Sequence, residues 1–99
     1  MNQINHIDET GKEWVLPFFE IEDINDLHLK YRGEVYQAIK DSILEMMALR
    51  IKRIPSFSAG ELIFELNLDN INEQLDACIS YYSEIEEYEI CSQLLNLKE

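Results

Sequence analysis

The sequence predicts a mainly α-helical fold, a small single-domain bundle of three to four helices with an extended or short-strand N-terminal segment. Two observations lead to this prediction. Residues 34–53 repeat their apolar side chains with the period of a helix, and residues 69–99 contain no glycine or proline that would interrupt helical structure. The alternative is an α+β fold in which residues 14–21 and 61–68 pair as two strands.

The N-terminal third is the least regular part of the chain. The whole chain has 99 residues, which is enough for one hydrophobic core, so a single domain over residues 1–99 is expected. Residues 1–13 are polar without a sustained period, which indicates a loose N-terminal arm. Residues 14–21 are apolar but include Pro17, which lacks a backbone donor, so a short strand or an irregular segment is expected there. Residues 23–31 fit a short helix.

The central helix is predicted over residues 34–53. Its apolar positions at helical spacing are Val35, Ile39, Ile43, Met46 and Met47. Further apolar residues extend the apolar arc beyond one face, which indicates a helix in the middle of the bundle. Arg50, Lys52 and Arg53 suit the negative end of the helix dipole, and Pro55 ends the helix.

Residues 58–66 fit two structures. Ser58 followed by Glu61 forms a capping box, which predicts a short helix through Leu66. The same residues also alternate between apolar and polar side chains, as a half-buried strand does. The helix is the first expectation here and the strand its alternative.

The C-terminal region carries two apolar seams. The first consists of Ile71, Leu75, Cys78, Ile79, Tyr82 and Ile85. The second consists of Tyr88, Cys91, Leu94 and Leu95, and it lies about a third of a turn around the helix axis from the first. The chain therefore either kinks into helices over 69–83 and 84–98, or forms one long helix that shows two faces to two partners. The second alternative implies oligomerisation.

No motif of catalysis or ligand binding is present in the sequence. His6 and His28 are the only histidines and lie in no metal-binding pattern, so neither a metal nor another cofactor is expected. The three glycines are isolated, which excludes a phosphate-binding loop. Cys78 and Cys91 lie inside helical patterns and are expected to be buried free thiols. The sequence predicts a protein that is not an enzyme.

Negative charge dominates the composition. Twenty acidic residues stand against eight basic ones, a net charge of −12. Residues 58–99 hold ten acids and a single base, Lys98, which gives this part a net charge of −9. Such a surface repels nucleic acid and anionic membranes and attracts basic proteins. With no membrane-length apolar run and no secretory signal, a cytoplasmic location is expected.

The predicted function is that of a non-enzymatic, small acidic protein-binding module, one form being an inhibitor or nucleic-acid mimic that acts on a basic protein surface. The residues predicted to bind the partner are five acids that lie on one stripe of one helix or of two linked helices, and two tyrosines of a type favoured at interfaces. The acids are Asp69, Glu73, Asp76, Glu84 and Glu87, and the tyrosines are Tyr81 and Tyr88. The alternative is a homo-oligomeric structural or assembly accessory protein that associates through the second apolar seam.

Overall fold

A computed structural model describes residues 2–98. The chain forms a four-stranded sheet and four helices. In chain order the elements are β1 (Asn2–Ile7), β2 (Glu13–Phe19), α1 (Asp26–Leu29), α2 (Arg32–Leu49), β3 (Arg53–Ala59), β4 (Leu62–Asn67), α3 (Ile71–Glu84) and α4 (Tyr88–Leu95). The fold is therefore α+β, and the prediction of a mainly α-helical bundle is wrong.

The sheet consists of two hairpins joined side by side. Its strand order is β1-β2-β3-β4. The pairs β1/β2 and β3/β4 are antiparallel, whereas β2 and β3 run parallel, with Phe18 opposite Ser58 and Phe19 opposite Ala59. A parallel pair requires a crossover connection, which α1 and α2 supply. The two segments of the α+β alternative, 14–21 and 61–68, do contain strands, but β3 lies between them and they do not pair.

The predicted loose arm is a strand over most of its described length. Asn2–Ile7 pairs with β2 in continuous register, from Asn2 opposite Phe18 to Ile7 opposite Glu13. Asp8 fixes the turn between the two strands: its Oδ1 accepts hydrogen bonds from the Thr10 and Lys12 amides, and its Oδ2 accepts one from Trp14 Nε1. The strand is missed in the sequence because its side chains are mostly polar on both faces.

The central helix is shorter than predicted. It ends at Leu49, and Arg50 has the left-handed conformation, φ 56°. Residues from Arg53 onwards form β3, where Pro55 is tolerated beside a register shift between Pro55 and Phe57. The expected short helix over 58–66 is likewise wrong, because its residues form the end of β3, a turn at Gly60 and most of β4.

The core lies between the sheet and the helices. Helix α2 packs on β3 and β4, and α3 packs on α2. The Ser56 hydroxyl donates a hydrogen bond to the Ala38 carbonyl and lies 2.9 Å from the Ser42 hydroxyl, which ties β3 to α2. The largest apolar core side chains that are nearly inaccessible to solvent are Ile43, Met46, Ile54, Leu75 and Leu94. Within residues 2–98, no helix is both long and apolar enough to traverse a bilayer.

Candidate functional site

The C-terminal region is kinked, as the first of its two alternatives predicts. Helix α3 ends at Glu84, and Glu86 has the left-handed conformation, φ 64°. The Glu87 amide donates to the Tyr82 carbonyl (2.8 Å) and the Glu86 amide to the Ser83 carbonyl (3.1 Å), the hydrogen bonds of a Schellman motif. The predicted acidic stripe therefore extends over two linked helices rather than one.

Helix α4 folds back along α3. The Cys91 thiol lies 3.5 Å from the Ile79 carbonyl, within reach of a weak hydrogen bond, and Cys91 and Leu94 are buried in the core. These two residues of the second apolar seam thus pack inside the chain, whereas Tyr88 and Leu95 do not. Cys78 and Cys91 are buried free thiols, as expected from the sequence, and burial raises the pKa of the Cys78 thiol to about 12.

Two of the predicted binding residues are held by the N-terminus of α2. The guanidinium of Arg32 forms a bidentate ion pair with Glu84, with nitrogen–oxygen distances of 2.7 and 3.3 Å. The hydrogen bonds from Arg32 keep the pKa of the Glu84 carboxyl below its usual value. Tyr81 stacks on Tyr36 with ring centroids 4.4 Å apart, and Arg32 lies over the Tyr81 ring. Glu84 and Tyr81 therefore join α3 to α2, and the Glu84 side chain remains largely exposed.

The remaining predicted acids fall into two groups. Asp76 is paired with Lys98. Asp69, Glu73 and Glu87 are exposed and form no ion pair with any residue in the range 2–98. Asp69 and Glu73 lie at the start of α3, whereas Glu87 lies at the turn into α4.

An exposed apolar stripe runs along the turn and α4. Ile85 is 46% exposed, Tyr88 61% and Leu95 53%. Tyr88 and Leu95 are seven residues apart, which puts them on one face of α4, and Ile85 is exposed in the turn that precedes the helix. Glu86, Glu87 and Glu89 are exposed beside them. We call these six residues the α4 surface: Ile85, Glu86, Glu87, Tyr88, Glu89 and Leu95.

The α4 surface was only partly predicted from the sequence. Glu87 and Tyr88 were among the predicted binding residues, and Leu95 belonged to the second seam. Ile85 was assigned to the first seam and expected to be buried. The kink turns it outward. Ser83 followed three residues later by Glu86 has the spacing of a capping box, which is the indication of this kink that the sequence contains.

A polar groove lies between the β1–β2 turn and β4. His6, Glu9, Arg53, Ile63 and Glu65 are among its lining residues. Arg53 forms ion pairs with Glu65 (3.2 Å) and Glu9 (3.6 Å), so the groove's cation is already engaged by carboxylates of the chain. Among residues 2–98, no three His, Cys, Asp or Glu side chains converge to hold a metal ion.

The hydrogen bonds of Asp8 in the β1–β2 turn predict how the stability of the fold changes with pH. Its hydrogen bonds, led by those from Thr10 and Trp14, hold the pKa of Asp8 far below the ordinary value of 3.8. A group whose pKa is lowered by folding stabilises the folded state above its unfolded pKa of about 3.9, and this stabilisation is lost as the pH falls toward the folded pKa. We expect Asp8→Ala to lower stability at pH 7 and to have a diminishing effect below about pH 4.

Trp14 provides the measurement, since it is the only tryptophan and contacts Asp8. Urea unfolding followed by its fluorescence, from neutral pH to about pH 2, would give the midpoint for both proteins. Asp69→Ala, which removes an exposed aspartate elsewhere, is the control. Equal pH dependence of the wild type and Asp8→Ala would show that the turn carboxylate is not ionised and bonded as described.

The comparisons with known proteins found no relative: no protein-family model, no curated protein and no solved structure matches this chain.

Proposed function

We propose that this chain is a protein-binding module, without catalytic activity, that binds a partner with a basic surface through the α4 surface. The observation that supports this most directly is the exposure of Tyr88 and Leu95 on one face of α4, beside three glutamates that form no ion pair within residues 2–98. Protein interfaces commonly combine an apolar or aromatic centre with a polar rim.

The charge of this surface selects the partner. Glu86, Glu87 and Glu89 lie within four residues of one another, and the nearest basic residue in sequence is Lys98, which is paired with Asp76. A basic surface with an apolar patch would pair its lysines or arginines with these carboxylates and cover Tyr88. Nucleic acids and anionic membranes would be repelled, and a cytoplasmic location is compatible with this proposal.

An inhibitor or nucleic-acid mimic is one form of this function. It would use the exposed carboxylates at the start of α3, Asp69 and Glu73, together with those of the α4 surface. These carboxylates lie at two ends of an antiparallel helix pair, so a mimic would present two separated negative patches rather than the single stripe predicted from the sequence.

The alternative function, homo-oligomerisation through the second apolar seam, has less support. Cys91 and Leu94 are buried within the chain, so only Tyr88 and Leu95 remain to form such a contact. A second copy docked there would also bring its own three glutamates next to those of the first. Like charges brought together at an interface oppose association.

The test begins with capture of partners from a lysate at low and high salt, followed by binding measurements on the purified partner. We expect Tyr88→Ala and Glu87→Lys each to weaken binding about tenfold or more. The first removes an aromatic side chain from the centre of the interface, and the second reverses a charge at its rim. Binding should also weaken as salt rises.

Two variants elsewhere serve as matched controls. Glu45→Lys makes the same charge change on the exposed side of α2, and Leu49→Ala removes an exposed apolar side chain. Both should bind the partner as the wild type does. If Glu45→Lys and Glu87→Lys lost affinity equally while Tyr88→Ala kept it, net charge rather than the α4 surface would be responsible. If none of the four variants lost affinity, the partner would bind somewhere else on the molecule.

A further inference from the structure

The outer edge of β1 lacks three of the features that usually prevent strand pairing between molecules: charged residues, prolines and bulges. Within residues 2–98, β1 is at the end of the sheet and pairs with β2 alone. Its sequence, NQINHI, contains no proline and no Asp, Glu, Lys or Arg, and its register with β2 is free of bulges. Natural edge strands normally carry charges, prolines or bulges that block the addition of another strand.

Among the described helices and strands, β1 alone lacks Asp, Glu, Lys and Arg residues. Each of the other seven described elements contains at least one Asp, Glu, Lys or Arg. The opposite edge strand, β4, contains Glu65 and is followed closely by Asp69. In a chain with a net charge of −12, β1 is therefore the segment that can meet a copy of itself without placing like charges opposite each other.

We propose that the outer edge of β1 pairs antiparallel with β1 of a second copy of this chain, which joins the two sheets into one sheet of eight strands. A two-fold axis brings identical segments together, so any charge near the axis would meet its own copy. This inference concerns a different surface from α4 and does not rest on the proposed function.

The acidic helices of the two copies would be well separated in such a dimer. Helix α2 lies over β3 and β4. Five strand spacings of about 4.8 Å separate β3 of one copy from β3 of the other, a distance of about 24 Å. This is about three Debye lengths at physiological ionic strength, so the repulsion between the helical layers is largely screened. Added salt should therefore strengthen this dimer, whereas it should weaken binding of a basic partner.

The symmetry also limits the register. For antiparallel edge strands related by a two-fold axis, the axis runs perpendicular to the sheet, and residues directly opposite each other point to the same face. The axis therefore passes at a residue, and Ile4 and Asn5, the two central residues of β1, are the positions that let most of the strand pair. In either register, the two Asn5 side chains are directly opposite or diagonal neighbours, within about 8 Å of each other.

The test is sedimentation velocity on the full chain, from about 5 to about 500 µM at low and physiological salt, because a short strand pair predicts weak association. We expect the wild type to dimerise with rising concentration, more so at the higher salt. Asn5→Lys should weaken dimerisation at least tenfold by placing two ammonium groups together. Leu62→Lys, on the opposite edge and 57% exposed, makes the same net-charge change and should dimerise as the wild type does.

Hydrogen exchange on the wild type gives an independent measurement. Backbone amides of β1 should exchange more slowly at high protein concentration, while those of β4 should not change. Circular dichroism establishes that both lysine variants remain folded. A wild type that stays monomeric at about 500 µM, or a dimer that loses affinity equally in both variants, would overturn the proposal.

The α4 variants separate this proposal from the previous one. Tyr88→Ala should leave the dimer unchanged while weakening partner binding. Loss of the dimer in Tyr88→Ala, with Asn5→Lys unaffected, would place self-association on α4 and overturn the assignment to β1.

Discussion

Phe57→Ala is expected to lower the free energy of unfolding by about 3–5 kcal/mol, as truncations of buried aromatic residues do. Phe57 lies on β3, in the middle of the sheet, and is buried. Its ring stacks on Phe64 with centroids 4.7 Å apart and meets Phe19 edge-on at 5.6 Å. The substitution therefore leaves a cavity at the point where β2, β3 and β4 come together.

Urea unfolding of both proteins measures this effect. Leu62→Ala, on the neighbouring strand and largely exposed, is the control and should change stability by no more than about 0.5 kcal/mol. If Phe57→Ala cost less than about 1 kcal/mol, Phe57 would not occupy the sheet core.

Leu94→Ala is expected to lower the free energy of unfolding by about 2–5 kcal/mol. Leu94 is fully buried and, with Cys91, fixes α4 to the core. Because α4 has only eight residues, it has little helical stability without this packing. We therefore also expect faster hydrogen exchange throughout α4, and weaker partner binding as a secondary effect of the loosened α4 surface.

The adjacent residue supplies the control. Leu95 carries the same side chain but is exposed, so Leu95→Ala should leave stability nearly unchanged while still weakening partner binding. Stability loss on Leu95→Ala equal to that on Leu94→Ala would mean that α4 packs on a different face from the one described.

The helical part of the fold was predictable from sequence because the helix period is visible there. Residues 34–49 and the first C-terminal seam show apolar side chains at the expected spacing, and both are helices. The strands were harder to predict. β3 is buried nearly throughout, with a register shift after Pro55, so it does not alternate. The capping signal at Ser58 then favoured a helix in a segment where tertiary pairing overrides local propensity.

In the candidate site, too, contacts between residues far apart in the chain could not be predicted from the sequence. Nothing near Glu84 and Tyr81 in the sequence indicates that either side chain contacts another element. Their partners, Arg32 and Tyr36, lie about fifty positions earlier in the chain and reach them only after α3 packs on α2. Glu87 and Tyr88 stay exposed because they follow the kink, where no other element packs over them within residues 2–98.

The parallel pairing of β2 with β3 separates folding into two steps: each hairpin can form first, and the two hairpins join afterwards. Each antiparallel hairpin can close locally, on a timescale of about 1–10 µs, because its strands are joined by short turns. The parallel pair requires the whole α1–α2 crossover to be in place, a non-local step that is slower. Trp14 lies in the first hairpin and also packs against the hydrophobic core, so its fluorescence would report closure of that hairpin and its packing on the rest of the chain. A fluorescent label at Leu62 on β4 would follow the second hairpin. The distance between Trp14 and that label would then show when the two halves of the sheet meet.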